Sequence, residues 1–204
     1  MNIHVRAAVR GSQALDRLLA YDDVHTVLDV GCGSGEHAAL MRAAGRMVTT
    51  VAYTPPADFV GDYVGNTVIP PGFDAIWASH VLEHQPNVGA FLRQCFRDLR
   101  DDGVLAVTVP PAKDAIVGGH LTIWNAGLLL YNLVVAGFDC RQARVSPNYA
   151  SGPGFPPYNI SVLVRKRAAD LPPLRFDAGD IDSLARFFPC PAAEGFDGRL
   201  SHDW

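Results

Sequence analysis

The chain predicts an α/β fold built on a doubly wound, mostly parallel sheet, and three features of the sequence predict it. Short apolar, β-branched runs alternate with helix-length stretches, a spacing that calls for right-handed crossovers and a sheet covered on both faces. The first clear strand breaks on closely spaced glycines and passes straight into a helix. The last two strands lack a helix between them and are joined only by the Pro/Gly-rich loop 146–159, which fits an antiparallel hairpin at the sheet edge.

Taken in order, residues 3–20 read as a helix, with Ile3, Ala7, Ala14, Leu15, Leu18 and Leu19 leaning to one side. HTVLDV (25–30) is a buried strand, and EHAALMRAA (36–44) is a helix stopped by Gly45. RMVTTVAY (46–53) is a strand ended by Pro55 and Pro56, and FDAIWAS (73–79) is another. Residues 87–100 place Val88, Phe91, Leu92, Cys95, Phe96 and Leu99 on one helical face. DDG (101–103) turns the chain into the strand VLAVTVP (104–110). A helix over 124–136 and strands near 138–146 and 159–166 complete the pattern. Residues 1–167 form the expected domain. Residues 168–204 form a Pro-rich tail expected to pack on it, with a short amphipathic helix around 179–188.

The composition narrows the class. A chain of 204 residues, 49% apolar, suits a single core. Its 17 basic and 21 acidic side chains leave a net charge of −4, which argues against a nucleic-acid partner. Cys32, Cys95, Cys140 and Cys190 are widely spaced and read as reduced thiols, neither a disulfide framework nor a zinc cluster. Arg6, Arg10, Asp16 and Arg17 interrupt any signal-peptide core, and the apolar stretch 126–138 is too short to span a bilayer. The expectation is a cytoplasmic protein with no membrane span.

VLDVGCGSGE (27–36) carries the strongest local signal. Glycines let the backbone take positive φ and let a ligand approach it closely, and the helix start that follows offers free N–H donors. Strand, turn and helix place this turn at the carboxyl edge of the sheet, where ligands bind. A dinucleotide fingerprint would need glycine where Glu36 stands, and a phosphate-gripping loop would need the absent Gly-Lys-Ser/Thr. A strand ending in Asp29, two residues before Gly31, Gly33 and Gly35, resembles instead the first motif of class I S-adenosylmethionine-dependent methyltransferases. The segment FDAIWASHVLEHQPNVGAFLRQCFRDLRDDGVLAVTVP (73–110) resembles the fourth and fifth motifs of that family's small-molecule branch.

That resemblance implies a Rossmann-like, seven-stranded sheet, S-adenosylmethionine as cofactor and methyl transfer to a small acceptor, with a sugar hydroxyl as the finer expectation. It implies that Gly31, Gly33 and Gly35 line the methionine part and that Asp29 orients its amino group. Asp62 would accept from the adenine amine with Tyr63 beside it, and Ser79 and His80 would line the mouth where methyl transfer occurs. One position departs from the family: Ala52 stands where an acid usually binds the ribose. Asp58 from the following loop, or Tyr53 stacked on the adenine, would compensate. A relative that keeps the fold but serves as a binding or partner subunit is the rival that Ala52 leaves open; as for partners, a homodimer or a partner subunit is the expectation.

Two histidine segments stand apart. His80-Val81-Leu82-Glu83-His84 spells the H-x-x-E-H of inverted zinc peptidases. Pro86 and the strand before it oppose the long helix that motif needs, so no metal is expected, and Glu83 and His84 are read as bonding backbone in the turn. Gly118-Gly119-His120, followed by Trp124 and Asn125, lies beyond the strand ending at Pro110. His120 is either the base that takes a proton from the acceptor or a helix cap. Trp124, with Asn125, either contacts the acceptor or packs in the core.

Overall fold

A computed structural model of the chain describes residues 10–66, 68–148 and 159–204. Its seven strands are β1 (Thr26–Val30), β2 (Met47–Ala52), β3 (Phe59–Val60), β4 (Phe73–Ser79), β5 (Leu99–Val109), β6 (Arg144–Asn148) and β7 (Asn159–Arg165). They join in the order β3-β2-β1-β4-β5-β7-β6. Strands β1 to β5 pair in parallel, while β7 is antiparallel to both β5 and β6. The doubly wound, Rossmann-like sheet with an antiparallel edge is the one the sequence predicts.

The two-residue period of the strands divides the core. On β4, Ile76 and Ala78 face one layer, and Ala75 and Trp77 face the other. The first layer is closed by α3 (Val88–Asp98) and α4 (Ala126–Val135), through Phe91, Leu92, Cys95, Leu129 and Leu133. The second is closed by α1 (Ser12–Leu19) and α2 (Glu36–Ala43), through Ala14, Leu15, Leu18 and Met41. Each fully buried large apolar side chain in these layers contributes about 1.5–3 kcal/mol. Asn87 and Asn125 cap α3 and α4, their Oδ1 atoms accepting from the backbone N–H of Ala90 (2.9 Å) and Leu128 (2.7 Å).

The structure corrects several boundaries. The first helix begins at Ser12 in the described residues; the predicted residues 3–9 lie outside them. β3 has only two residues, too few for a periodic signal, and falls in a segment read as loop. The DDG sequence is no turn between helix and strand. α3 stops at Asp98, β5 starts at Leu99, and the glycine sits in an irregularity of the β4–β5 register. There a Cβ on Gly103 would stand 2.9 Å from the Arg100 carbonyl oxygen. The sixth strand runs from Arg144 to Asn148 instead of 138–146, because Phe138 makes only an isolated bridge to Ala168. Most of the predicted loop 146–159 lies outside the described residues.

In the tail, α5 (Ile181–Leu184) is a single turn flanked by 3-10 turns. Ile181, Leu184, Phe187, Phe188 and Leu200 are buried in the first layer. The Cys140 N–H donates to the Phe187 carbonyl (2.9 Å), and His202 bridges to Val145. Among the described residues, no helix is long and apolar enough to cross a membrane.

Candidate active site

From β1 the chain winds outward to β2 and β3 on one side. From β4 it winds to β5 and the edge pair on the other. The carboxyl ends of β1 and β4 therefore flank the crevice at which an open α/β sheet binds ligands. The glycine turn sits there, with φ +74° at Gly31, +53° at Gly33 and +82° at Gly35. A Cβ on Gly31 would lie 2.3 Å from Val81 Cγ2, whereas one on Gly33 or Gly35 would meet nothing within 4 Å. Gly31 is thus a packing requirement, and the other two leave the floor of the crevice bare. No side chain caps α2, so its first-turn N–H groups suit a carboxylate.

A cavity of about 290 Å³ opens over this turn, walled by Gly31, Gly33, the end of β2, Asp62, Tyr63 and four residues after β4, His80, Val81, His84 and Gln85. Asp29, two residues before Gly31, is 1% exposed, and its Oδ2 has no hydrogen-bond partner. Burial pushes its carboxyl up to about 7, against a smaller opposing pull from Arg42. An orphaned carboxylate oxygen at this point fits a ligand ammonium group.

The opposite wall is held by α3. Gln94 accepts from the Gly65 N–H (2.7 Å) and donates to the Tyr63 carbonyl (2.7 Å), fixing the turn that carries Asp62. Asp62 Oδ1 accepts from the Val64 N–H (3.0 Å). Tyr63 lines the cavity with its ring while its hydroxyl donates to the buried Asp98 (2.9 Å). Tyr53 is 65% exposed at the cavity rim. Partial burial and the neighbouring Asp62 carboxylate push its hydroxyl pKa up. Asp58, expected to stand in for the missing acid at Ala52, is not among the residues lining this cavity. Its Oδ2 accepts from both the N–H (2.8 Å) and the hydroxyl (2.9 Å) of Thr50, bonds that hold its carboxyl below the usual range and brace the loop.

A second cavity of about 500 Å³ adjoins the first, walled by Arg10, Pro110, Lys113, Ile116, His120 and Thr122 among others. His80 borders both cavities. Its φ of +56° is left-handed, a conformation that costs a non-glycine residue on the order of 1–3 kcal/mol and gathers at functional sites. Both ring nitrogens are engaged, Nδ1 with Glu83 Oε1 (3.1 Å) and Nε2 with Asn159 Oδ1 (2.9 Å). Both His80 nitrogens are thus engaged, and its place between the two cavities is the mouth position expected of it. Ser79 turns the other way along the strand and shares a hydrogen bond with Thr108 Oγ1 (2.8 Å), so it does not line the first cavity.

His120 stands on the wall of the second cavity, as expected. Trp124 does not: it is 2% exposed, packed in the first core layer and bridged to Pro111. Asn125 is used as the cap of α4. Neither faces an acceptor, because the helix start that the sequence places at 124 buries the first and consumes the second. Arg10, Lys113, Thr54 and His84 line the cavities without having been singled out as binding residues. Lys113 and Thr54 sit in non-periodic segments with no local signal, and Arg10 sits in the segment read as the first helix. His84 was visible inside the H-x-x-E-H string. Glu83, His84 and His120 also bring one donor atom each within 4.8 Å of one another.

A family model described as a methyltransferase domain matches residues 1–134 of this chain. The chain belongs to that family. This methyltransferase domain is 29% identical over 131 residues to a probable S-adenosylmethionine-dependent methyltransferase of Mycobacterium tuberculosis, an alignment covering 55% of this chain and 48% of the relative. The chain thus spans about half the length of the curated relatives it matches. Among solved structures, the methyltransferase domain resembles a SAM-dependent methyltransferase from Archaeoglobus fulgidus, with a TM-score of 0.61 and 18% identity over 76% of this chain and 92% of that one. It also resembles the Burkholderia thailandensis 1,6-didemethyltoxoflavin-N1-methyltransferase bound to S-adenosylhomocysteine, with a TM-score of 0.62 and 23% identity over 76% of each chain. Those structural likenesses carry the fold. The fit of S-adenosylmethionine rests on this methyltransferase domain's own residues: an unpartnered buried carboxylate at Asp29, bare backbone at Gly33 and Gly35, and an uncapped helix start.

Proposed function

We propose that the chain transfers a methyl group from S-adenosylmethionine to a small-molecule acceptor. The orphaned, buried Asp29 carboxylate two residues before the glycine turn, beside a cavity that meets a second cavity at His80, carries this reading. Bound in the first cavity, the cofactor supplies a sulfonium-activated methyl group; an acceptor lone pair takes the carbon and the carbon–sulfur pair stays on sulfur. Asp29 holds the amino group, and the α2 start holds the carboxylate. Asp62 and Tyr53 serve the adenine and ribose end, with Tyr63 behind them. The backbone of His80 sets the mouth between the cavities. Alignment and exclusion of water supply most of the rate.

The second cavity favours an acceptor with an apolar body and a negative or electron-rich end, because Arg10 and Lys113 stand among Pro110, Ile116 and Ile123. A sugar hydroxyl, the finer expectation, rests on the family resemblance, and the buried Trp124 offers it no stacking ring. His120 is the residue there able to take the acceptor's proton. A second reading, a binding or partner subunit without turnover, is favoured by Ala52 together with the engagement of Asp58 by Thr50. Calorimetry with S-adenosylmethionine and S-adenosylhomocysteine separates the two. Saturable binding that Gly33→Val abolishes in a folded protein supports the enzyme. Absence of binding by the wild type favours the subunit.

A further inference from the structure

We propose that Glu83, His84 and His120 form a binding site for one first-row divalent cation, with zinc the best match, at the junction of the two cavities. The cation's open positions would hold an oxygen of the acceptor. That last part rests on the methyl-transfer reading, whereas the cation site does not.

The donor atoms come from two loops that the backbone ties together. The Glu83 carbonyl accepts from the N–H groups of Leu121 (2.7 Å) and Thr122 (3.2 Å), and this docks the loop carrying His120 beside Glu83 and His84. The rings of His84 and His120 meet edge to face with centroids 4.9 Å apart. One carboxylate oxygen and one nitrogen from each ring lie within 4.8 Å of one another. Tetrahedral zinc sets its ligands about 3.3 Å apart, a contraction within reach of an exposed His84 side chain.

Two observations give the cluster a direction. Glu83 is 1% exposed; its Oε1 is met by His80 Nδ1, but its Oε2 is buried without a partner. A buried carboxylate oxygen left unmet is costly, and a cation meets it. His84 Nδ1–H donates to the Gly119 carbonyl (2.8 Å), which leaves the Nε2 lone pair free. Metal-bound histidines are commonly oriented in this way, through a backbone carbonyl on the other ring nitrogen. The His80 contact orients the Glu83 carboxylate in the same sense. Two imidazoles and one carboxylate suit zinc and its neighbours better than magnesium or calcium.

The placement supplies the purpose. His84 lines the cofactor cavity and His120 the acceptor cavity, so a cation between them touches both. An acceptor hydroxyl held on it gives up its proton to water more readily. The resulting oxygen anion forms the new bond to the methyl carbon as the carbon–sulfur bond breaks. His120 then acts as a ligand instead of a base: the cation lowers the acceptor hydroxyl's pKa and water takes the proton. The sequence expectation of no metal weighed only His80-x-x-Glu83-His84; the ligand that completes the set is His120, from a different loop.

The test is calorimetric titration of zinc into the chelator-treated full chain, with S-adenosylhomocysteine titrated separately. The expected result is one zinc per chain, bound at least about tenfold more weakly by His120→Ala and by Glu83→Gln. His120→Ala should keep its S-adenosylhomocysteine affinity, because His120 does not line the cofactor cavity. Loss of cofactor binding with the zinc site intact would count against the methyl-transfer reading and leave the cation site standing. A folded wild type with no saturable zinc binding, or a His120→Ala protein that binds zinc as the wild type does, overturns the proposal.

Discussion

The two cavities that meet at His80 are built in opposite ways. The cofactor cavity is framed by strand ends and by a turn whose conformation depends on glycine, and the hydrogen bonds that Tyr63 and Gly65 make with Gln94 and Asp98 brace its far wall. The acceptor cavity is framed by the loop after β5 and by Arg10 ahead of α1, with Ile116 82% exposed. Substitutions on the first side should therefore change both stability and binding, and substitutions on the second should change acceptor recognition almost alone. The difference teaches where specificity can vary without unfolding the domain.

The largest effect expected is on the first side. Gly31→Ala forces a left-handed φ on a side chain and drives its Cβ into Val81. It should cost about 3 kcal/mol in denaturant unfolding. A loss of only a few tenths would show that the turn adapts and that Val81 is not fixed against it.

Asp29→Asn should split the two properties. Removing a buried, unpartnered acid should leave stability unchanged or raise it, while cofactor affinity falls by about 2 kcal/mol, the scale of a charge-assisted hydrogen bond. The pH dependence has a defined sign. The folded pKa of about 7 exceeds the ordinary 3.8, so the unfolded chain loses this proton first. Its contribution to stability is present below about pH 4, is lost as pH rises towards 7, and is flat above. The whole span is on the order of 4 kcal/mol. It shows as the difference between wild-type and Asp29→Asn unfolding curves, which removes the opposite slope of Asp74, held down at about 2 chiefly by Arg100 against the effect of burial.

Ala52→Glu comes next. If the ribose lies at the end of β2, the added acceptor should strengthen S-adenosylhomocysteine binding by about 1–2 kcal/mol. Unchanged affinity would mean that Tyr53, Thr54 and Asp62 already serve the ribose. Asp62→Ala should weaken the same binding by about 1 kcal/mol. The smallest effect is expected across His80: Lys113→Ala should alter stability by less than about 0.5 kcal/mol and leave cofactor affinity unchanged. A large loss of either would erase the contrast between the cavities.

The contrast also explains what could be read in the sequence. Strand and helix periods, and a turn whose chemistry lies in consecutive glycines, are local, so the sheet and the cofactor edge were legible from residues 26–110. β3 was invisible because two residues carry no period, and β6 was misplaced because Phe138, Cys140, Ala143 and Val145 are buried apolar positions among polar ones, whether or not they pair in the sheet. Asp58 was readable as a ribose partner, but its bonds to Thr50, made by one carboxylate oxygen, show only in the fold. For Trp124 and Asn125 the sequence left the choice open, because an aromatic and an amide beside a histidine look alike whether they face a ligand or cap and pack a helix; the fold packs the first and uses the second as a cap. His120 was legible, but its partners Glu83 and His84 come from a different loop and only the tertiary fold brings them together.

The central claim is that the glycine-turn cavity binds S-adenosylmethionine through the buried Asp29 carboxylate. Calorimetric titration of S-adenosylhomocysteine at several pH values between about 5 and 8 tests it most directly, bracketing the raised pKa. The account predicts binding that strengthens as pH rises towards 7 and then levels, with proton release in the lower range and no such dependence in Asp29→Asn. Binding that is absent, or that is indifferent to pH in the wild type while Asp29→Asn binds equally well, would contradict it.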